Sequence, residues 1–332
     1  MKAIVQDRYG STDTLHLRDV DRPVPADNEV LVRIHAASVN AADWHIMRGD
    51  PYVARLMGQG MLGLRAPKAK IRGRDFAGSV EAVGSGVRRF SPGDHVYGEA
   101  NGAFAEYLCV AEDATERAPA NLTFEQAAAV PLAGGTALVG LRDLGKVRAG
   151  HQVAINGASG GVGTFAVQIA KVLGAEVTGV CSTRNVDLVR SLGADHVVDY
   201  TQDDFTRDAR RYDVVFDLVG NHPLAKLRRA LTSSGTLVLS GGGVSRGSRP
   251  SLMGPMRLMV GGMIRSRFAR GQRLLVHDGV HSSPQNLAVL RELVESGKIT
   301  PIIDKVYPLS DVPEAIRYLE TEHARAKVII TV

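Results

Sequence analysis

Hydrophobic and polar residues alternate with a period of two through the first third of the chain. Residues 28–39, NEVLVRIHAASV, place four apolar side chains on one face, which is the pattern of a half-buried strand. Those side chains are Val30, Val32, Ile34 and Ala36. Shorter segments of the same kind cover residues 76–84, 93–99 and 103–111. Many short strands separated by glycine turns predict a partly closed β-barrel.

Near residue 120 the pattern changes to an alternation of strands and helices. Residues 123–144 predict a helix with Thr123 as its N-cap. An apolar strand at 152–157 leads into an amphipathic helix at 161–174. The segments that follow are strands at 176–181, 196–200, 213–220 and 235–241, with a helix at 185–193. This order predicts a parallel sheet with crossover helices on both faces, a doubly wound α/β fold.

From about residue 280 the chain returns to its earlier character. Residues 286–299 predict an amphipathic helix, and residues 312–332 predict a helix followed by a strand. We therefore expect a nucleotide-type domain inserted into a β-rich domain. The predicted inserted domain is residues 123–280, and the predicted β-rich domain is residues 1–122 and 281–332.

Composition fits two globular domains and argues against several classes of protein. The chain has 332 residues, of which 44% are hydrophobic and 23% charged. The net charge of +5 is spread along the chain, without the concentrated basic face that a nucleic-acid partner requires. Residues 1–10 read as a strand, not a signal peptide, and the most apolar run, 251–264, is too short to span a membrane. The two cysteines, Cys109 and Cys181, form no CxxC motif, so we expect a reducing, cytoplasmic location.

A glycine-rich turn, NGASGGVG, lies between the predicted strand at 152–157 and the helix at 161–174. Such a turn lets the backbone approach a pyrophosphate, and the helix N–H groups then meet its negative charge. The alternative is a tight turn that holds no ligand. The surrounding β-α-β alternation favours a dinucleotide site. Its candidate residues are Gly157, Ser159, Gly160, Gly161, Val162 and Gly163.

The end of the second strand of this domain predicts which dinucleotide binds. A site for NAD carries an acidic residue there, about 20 residues after the turn, to bind a ribose hydroxyl. Here the segment is VCSTRN, and the first acid is Asp187. Ser182 and Arg184 can instead donate hydrogen bonds to a 2′-phosphate, which predicts NADPH (NADP) as the cofactor. The alternative for Arg184 is a solvated charge at a helix start.

Several motifs together resemble the medium-chain dehydrogenase/reductase superfamily over essentially the whole chain. They are MKAIV, GSVEAVGSGVRRFSPGDHVYG, QAAAVPLAGGTA, GASGGVG, GADHVVDY and HARAKVIITV, in that order. The resemblance implies a GroES-like catalytic domain, a Rossmann domain and a cleft between them for hydride transfer. It also implies that Thr136 approaches the cofactor and that Tyr200 packs near its adenine-phosphate end.

Departures from the zinc-bearing members of that superfamily indicate that this chain binds no zinc. Those members carry a cysteine at the position of Asn40 and a His-Glu pair at the positions of Arg74 and Asp75. The four-cysteine lobe of a structural zinc is also absent. A zinc site needs three or four suitable ligands at fixed geometry. We therefore expect Arg74 and Asp75 to have structural roles, as an ion pair or a turn contact.

Without a metal, hydride transfer is easiest to an acceptor that is already electron-poor. The sequence is similar to zinc-independent quinone oxidoreductases and enone reductases, which use NADPH. By that similarity Asn40 and Asp43 lie beside the nicotinamide ribose and a small-molecule electrophilic substrate. Tyr52 stands where such reductases carry a hydrogen-bond donor, although its spacing from Asn40 is one residue longer. The alternative for Tyr52 is a loop aromatic that covers the cleft.

Other functions stay open at this stage. One is metal-independent alcohol or aldehyde oxidoreduction, and another is a non-catalytic NADPH-binding sensor or structural protein. Relatives form dimers or tetramers, so a homodimer is expected by analogy. Two segments have no assigned role. Residues 52–72 suit a lid or a surface insertion, and the methionine-rich residues 253–268 suit a pocket, a subunit interface or a buried helix.

Overall fold

The structure is a computed structural model in which the chain divides into two compact units. Unit 1 comprises Met1–Gly135 and His281–Val332, and unit 2 comprises Thr136–Val280. The described residues are 1–50, 55, 62–240, 271–277, 283–322 and 324–332. The described ranges exclude Tyr52, the other residues of 52–61 except Arg55, and the whole of segment 253–268.

Fifteen strands and eight α-helices are found in these described ranges. The strands are β1 (Lys2–Val5), β2 (His16–Asp19), β3 (Glu29–Val39), β4 (Asp75–Val83), β5 (His95–Glu99), β6 (Tyr107–Ala111), β7 (Thr115–Arg117), β8 (Gln152–Asn156), β9 (Glu176–Cys181), β10 (His196–Asp199), β11 (Tyr212–Asp217), β12 (Leu231–Leu239), β13 (Arg273–Val276), β14 (Ile303–Pro308) and β15 (Lys327–Thr331). The α-helices are α1 (Ala41–Arg48), α2 (Phe124–Ala128), α3 (Pro131–Leu138), α4 (Gly161–Val172), α5 (Val186–Ser191), α6 (Leu224–Ala230), α7 (Pro284–Glu295) and α8 (Val312–Thr321). None of the described helices is both long enough and apolar enough to cross a bilayer.

Unit 1 is organised around the long strand β3. One edge of β3 pairs with β4, while its other edge pairs with β6 in the first half and with β15 in the second half. The resulting sheet has the order β14-β15-β3-β4-β5-β7, and only β14 and β15 run parallel. The alternation read from the sequence gives β3 its buried face, since Val30, Val32 and Ile34 are at most 2% exposed. The predicted strand at 28–39 is confirmed.

The helix predicted at 123–144 is instead three shorter segments. Thr123 caps α2, as predicted, because its hydroxyl accepts a hydrogen bond from the N–H of Gln126 at 3.3 Å. Helix α3 then begins at Pro131. The proline ring prevents one continuous α-helix through that point. After α3 the residues Val139–Leu144 form a π-helical turn.

Within the described residues, unit 2 contains a sheet of six parallel strands in the order β10-β9-β8-β11-β12-β13. Helices α4, α5 and α6 connect successive strands. This order is that of a Rossmann fold, whose direction of winding reverses between β8 and β11. Ligands of such sheets bind at the carboxyl ends of the strands beside that reversal. The predicted α/β fold class, a GroES-like catalytic domain plus a Rossmann doubly wound parallel sheet, is confirmed.

Candidate functional site

The glycine turn joins the end of β8 to the start of α4, as the sequence predicts. Gly157 has a φ of +91°, a conformation that side-chain-bearing residues rarely adopt. A Cβ atom at Gly163 would lie 2.1 Å from the carbonyl oxygen of Gly157, so only glycine fits there. The turn therefore folds tightly against the first turn of α4. The N-terminal N–H groups of α4 are positioned for an anion such as a pyrophosphate.

Two polar residues end the strands beside the reversal of the sheet. Asn156 closes β8 and Asp217 closes β11, and the Asn156 amide nitrogen donates to Asp217 at 2.8 Å and to Asn221 at 2.9 Å. The same Asp217 oxygen accepts the N–H groups of Val219 and Gly220. This network fixes the loop after β11 next to the glycine turn. Sequence reasoning missed it, although a polar residue that ends an apolar strand was a visible signal.

The end of β9 gathers three of the predicted cofactor-binding residues. Ser159 of the glycine turn and Ser182 after β9 both accept a hydrogen bond from the side chain of Asn185. Tyr200 follows β10 and is 54% exposed, and its N–H donates to the carbonyl of Cys181 at 3.0 Å. Asn185 was not predicted, although it stands in the same VCSTRN segment.

The other predicted cofactor residues lie in different settings. Arg184 is exposed in the turn between β9 and α5. Thr136 lies in α3 with its side chain buried.

Asp199 at the end of β10 accepts hydrogen bonds from Thr183 and Thr201. The hydrogen bond from the Thr183 hydroxyl is the largest cause of the lowered pKa of Asp199.

Unit 1 holds a buried polar cluster where β3, β4 and β15 meet. The ammonium of Lys327 lies 2.6 Å from Asn40 Oδ1 and 3.3 Å from Asp75 Oδ2. The Asn40 amide nitrogen donates to the same Asp75 oxygen at 3.0 Å, and the Ser38 hydroxyl donates to it at 2.7 Å. All four side chains are at most 6% exposed. We call these four residues the Lys327 cluster.

Asp43 lies next to this cluster in the first turn of α1. One carboxylate oxygen accepts the N–H of Asn40 at 2.8 Å, and the other has no hydrogen-bond partner among the described residues. Burial raises the pKa of Asp43 to about 6, although the Arg72 guanidinium acts in the opposite direction. Burial also lowers the pKa of Arg72 itself. Asp43 is therefore a carboxyl group that can hold or lose a proton near neutral pH.

The side chains at the positions of the cysteine and the His-Glu pair of zinc-bearing relatives do not fit zinc. Asn40 and Asp75 bond to the ammonium of Lys327, and Arg74 forms an ion pair with Glu99. An ammonium group therefore already occupies the side-chain oxygens of Asn40 and Asp75, and the Arg74 guanidinium has no lone pair to offer a metal ion. The ion pair of Arg74 with Glu99 is one of the two structural roles expected for Arg74. In the part of the chain that the structure describes, no three His, Cys, Asp or Glu side chains are grouped to hold a metal.

Neither cysteine is an activated nucleophile. Burial raises the pKa of both Cys109 and Cys181 to about 11. A thiol of that kind is protonated at neutral pH and unreactive. Both residues therefore act as small apolar side chains.

Comparisons with known proteins place the chain in a family. Residues 26–120 match the family described as alcohol dehydrogenase GroES-like domain, and residues 192–330 match the family described as zinc-binding dehydrogenase. The match to the zinc-binding dehydrogenase family therefore does not include Asn40 or Asp75. The mitochondrial NAD(P)H oxidoreductase RTN4IP1 of Bos taurus is 34% identical and covers 100% of this chain and 89% of its own length.

Two further proteins are similar over almost the whole chain. The chloroplastic NADPH-dependent alkenal/one oxidoreductase of Arabidopsis thaliana is 33% identical over 99% of this chain and 79% of its own length. The structure of the quinone oxidoreductase from Coxiella burnetii is 30% identical, with a TM-score of 0.85 over 100% of this chain and 99% of that one. The chain belongs to the medium-chain dehydrogenase/reductase superfamily, in its quinone-oxidoreductase-like branch, and is an oxidoreductase. The resemblance read from the motifs is confirmed, whereas a cytoplasmic location stays a prediction.

Proposed function

We propose that this enzyme uses NADPH to reduce a quinone or an α,β-unsaturated carbonyl compound without a metal ion. The observation that carries the proposal is the Lys327 cluster. In this cluster Asn40 and Asp75, which stand where zinc-bearing relatives carry a cysteine and the glutamate of a His-Glu pair, are hydrogen-bonded to one another and to Lys327. With no Lewis acid to activate an alcohol or a simple carbonyl, the acceptor has to be electron-poor already. Names such as quinone oxidoreductase and alkenal/one oxidoreductase among the similar proteins support the same acceptor class.

Unit 2 is the proposed NADPH-binding domain. It carries 19 lysine and arginine residues against 11 aspartate and glutamate residues, so its formal charge is +8. A positive domain attracts a highly charged anion. The hydroxyls of Ser159 and Ser182 and the guanidinium of Arg184 are the proposed donors to the 2′-phosphate. No acid is available directly after β9 to bind a ribose hydroxyl, as a site for NADH requires.

The proposed reaction needs a hydride and a proton. When bound, NADPH supplies the hydride, and a quinone or enone that takes it together with a proton becomes a hydroquinone or a saturated carbonyl compound. We propose Asn40, Asp43 and Tyr52 as the residues that act next to the hydride acceptor. Asn40 and Asp43 are buried and bonded to one another, so they act by fixing the start of α1. Tyr52 lies outside the described residues and stays a proposal from the sequence.

Steady-state oxidation of NADPH with a panel of quinones, enones and simple aldehydes, together with reduction of NADP+ with a panel of alcohols, tests the proposed function. We expect turnover with quinones or enones, and none with alcohols or simple aldehydes. The purified enzyme should contain no stoichiometric zinc, and a chelator should leave its rate unchanged. NADPH binding without turnover on any acceptor would instead indicate a sensor. Zinc that is lost together with activity would indicate a metal-dependent dehydrogenase.

The cofactor preference is tested at Arg184. Replacing Arg184 with Ala removes a positive charge proposed to bind the 2′-phosphate. The Kd for NADPH should rise at least about tenfold, since a hydrogen bond to a charged group contributes about 1.5–3 kcal/mol. The Kd for NADH should change less than about twofold. Equal losses for the two cofactors, measured by fluorescence titration, would show that Arg184 does not act on the phosphate.

A further inference from the structure

Asn185 joins the two loops that carry the predicted phosphate-binding serines. Its amide nitrogen lies 3.0 Å from the hydroxyl of Ser159 in the glycine turn and 3.2 Å from the hydroxyl of Ser182 after β9. Asn185 is 4% exposed, while both serines are partly exposed. One buried amide group therefore holds two more accessible hydroxyl groups together.

The chemistry of this contact fixes where the serine hydrogens point. The amide nitrogen of asparagine is only a donor, so each serine oxygen is the acceptor in these hydrogen bonds. Each serine then keeps its own O–H hydrogen for another partner. Among the described residues neither Ser159 nor Ser182 donates a side-chain hydrogen bond. The result is a pair of hydroxyl donors, held close together, that suits an anion.

A neighbouring acid does not compete for these donors. Asp199 accepts four hydrogen bonds, two on each oxygen, from Thr183, Thr201 and Gln202. Its acceptor positions are therefore occupied within β10 and the turns on either side. The two serine hydroxyls stay available for a ligand.

We propose that Asn185 is a positioning residue that sets the specificity of this oxidoreductase for a phosphorylated adenosine. It orients Ser159 and Ser182 as a paired donor to the 2′-phosphate and does not touch the ligand itself. This inference rests on the proposed use of NADPH. It adds that selectivity over the unphosphorylated cofactor depends on a buried amide as well as on an exposed guanidinium.

The test measures binding of two probes, 2′,5′-ADP and 5′-AMP, to the full chain by isothermal titration calorimetry. Asn185→Ala should raise the Kd for 2′,5′-ADP about tenfold and change the Kd for 5′-AMP less than about twofold. Asn185→Asp should raise the Kd for 2′,5′-ADP more than Asn185→Ala does. A carboxylate accepts the serine hydrogens and turns them away from the ligand, and its charge repels the phosphate. The aspartate variant keeps the size of the side chain, so it also serves if the alanine variant folds poorly.

A further variant separates positioning from general stability. In a protein that already carries Ser159→Ala and Ser182→Ala, adding Asn185→Ala should cost no more affinity for 2′,5′-ADP, because the groups it orients are gone. Asn121→Ala is the matched control, since that asparagine also donates from its amide, to the carbonyl of Val294 at 3.0 Å. It should leave both Kd values unchanged.

The possible outcomes are distinct. If the unmodified protein binds 2′,5′-ADP no better than 5′-AMP, the proposed use of NADPH is wrong and this inference fails with it. If the unmodified protein does prefer 2′,5′-ADP, two results overturn the inference alone. One is an unchanged Kd in Asn185→Ala, and the other is an equal loss for the two probes.

Discussion

At the scale of single residues, Asp43 is an ionisable group in a position that disfavours its charge. It is 1% exposed, and burial raises its pKa to about 6. In the unfolded chain an aspartate has a pKa near 3.9. The folded state therefore binds this proton more tightly than the unfolded state does. The contribution of this proton to the free energy of unfolding is fully present below pH 4 and is lost as the pH rises through 6.

The variant Asp43→Asn removes this proton linkage while keeping an acceptor for the N–H of Asn40. Between pH 4 and pH 7 the free energy of unfolding of the variant should rise by about 2 kcal/mol relative to the unmodified protein. Urea unfolding at several pH values, followed by fluorescence, measures this difference. Trp44, the single tryptophan of the chain, is adjacent to Asp43 and reports on unit 1. A difference that stays flat with pH would show that Asp43 titrates normally.

The sequence allows some of these residues to be predicted and hides others. Ser159 and Ser182 were found because the glycine turn and the end of the second strand are local patterns. Lys327 was not found, because its partners Asn40 and Asp75 are more than 250 residues away in the sequence. A lysine that opens an apolar strand reads as a solvated strand end, and only the fold shows that it is buried.

At the scale of elements, the turn between β8 and α4 depends on glycine at one position more than at another. A Cβ at Gly163 would meet backbone atoms of Gly157 and Ala158 at 2.1 and 2.7 Å. A Cβ at Gly160 would meet only the carbonyl oxygen of Gly157, at 3.4 Å, which is an ordinary contact. The two glycines therefore form a matched pair for substitution.

Gly163→Ala should destabilise the cofactor-free protein by about 2 kcal/mol or more, because backbone has to move to relieve the overlap. Gly160→Ala should cost less than about 0.5 kcal/mol. Thermal unfolding followed by circular dichroism, without NADPH, measures both effects. Equal melting temperatures for the two variants would contradict the tight packing of this turn.

Element types were more predictable than element ends. Strand β3 and helix α4 follow clear periods of two and 3.6, and the structure has both. Residues 127–141 are apolar or glycine except for Thr136, so no period reveals where a helix breaks. Pro131 was the available signal, because proline cannot continue a helix.

At the scale of the whole molecule, the Lys327 cluster joins the two sequence segments of unit 1. Lys327 is in β15, whereas Asn40 and Asp75 are in the first segment. Breaking a buried ion pair by removing one partner usually costs about 3–5 kcal/mol, because the other charge stays buried.

Lys327→Met should therefore lower the free energy of unfolding of unit 1 by about 3–5 kcal/mol, as read from Trp44 fluorescence in urea. The double variant Asp75→Asn/Lys327→Met should recover part of that loss, since no unpaired charge is then buried. A Lys327→Met protein as stable as the unmodified one would show that the cluster does not hold the segments together.

The order of the chain in unit 1 also bears on its synthesis. Strand β15 pairs with the second half of β3, and all of unit 2 lies between them in the sequence. The ribosome therefore finishes unit 2 before it makes the partner of β3. During that interval part of one edge of β3 has unpaired backbone groups, and such an edge recruits other nascent chains. We therefore expect association with other chains to be most favourable in that interval.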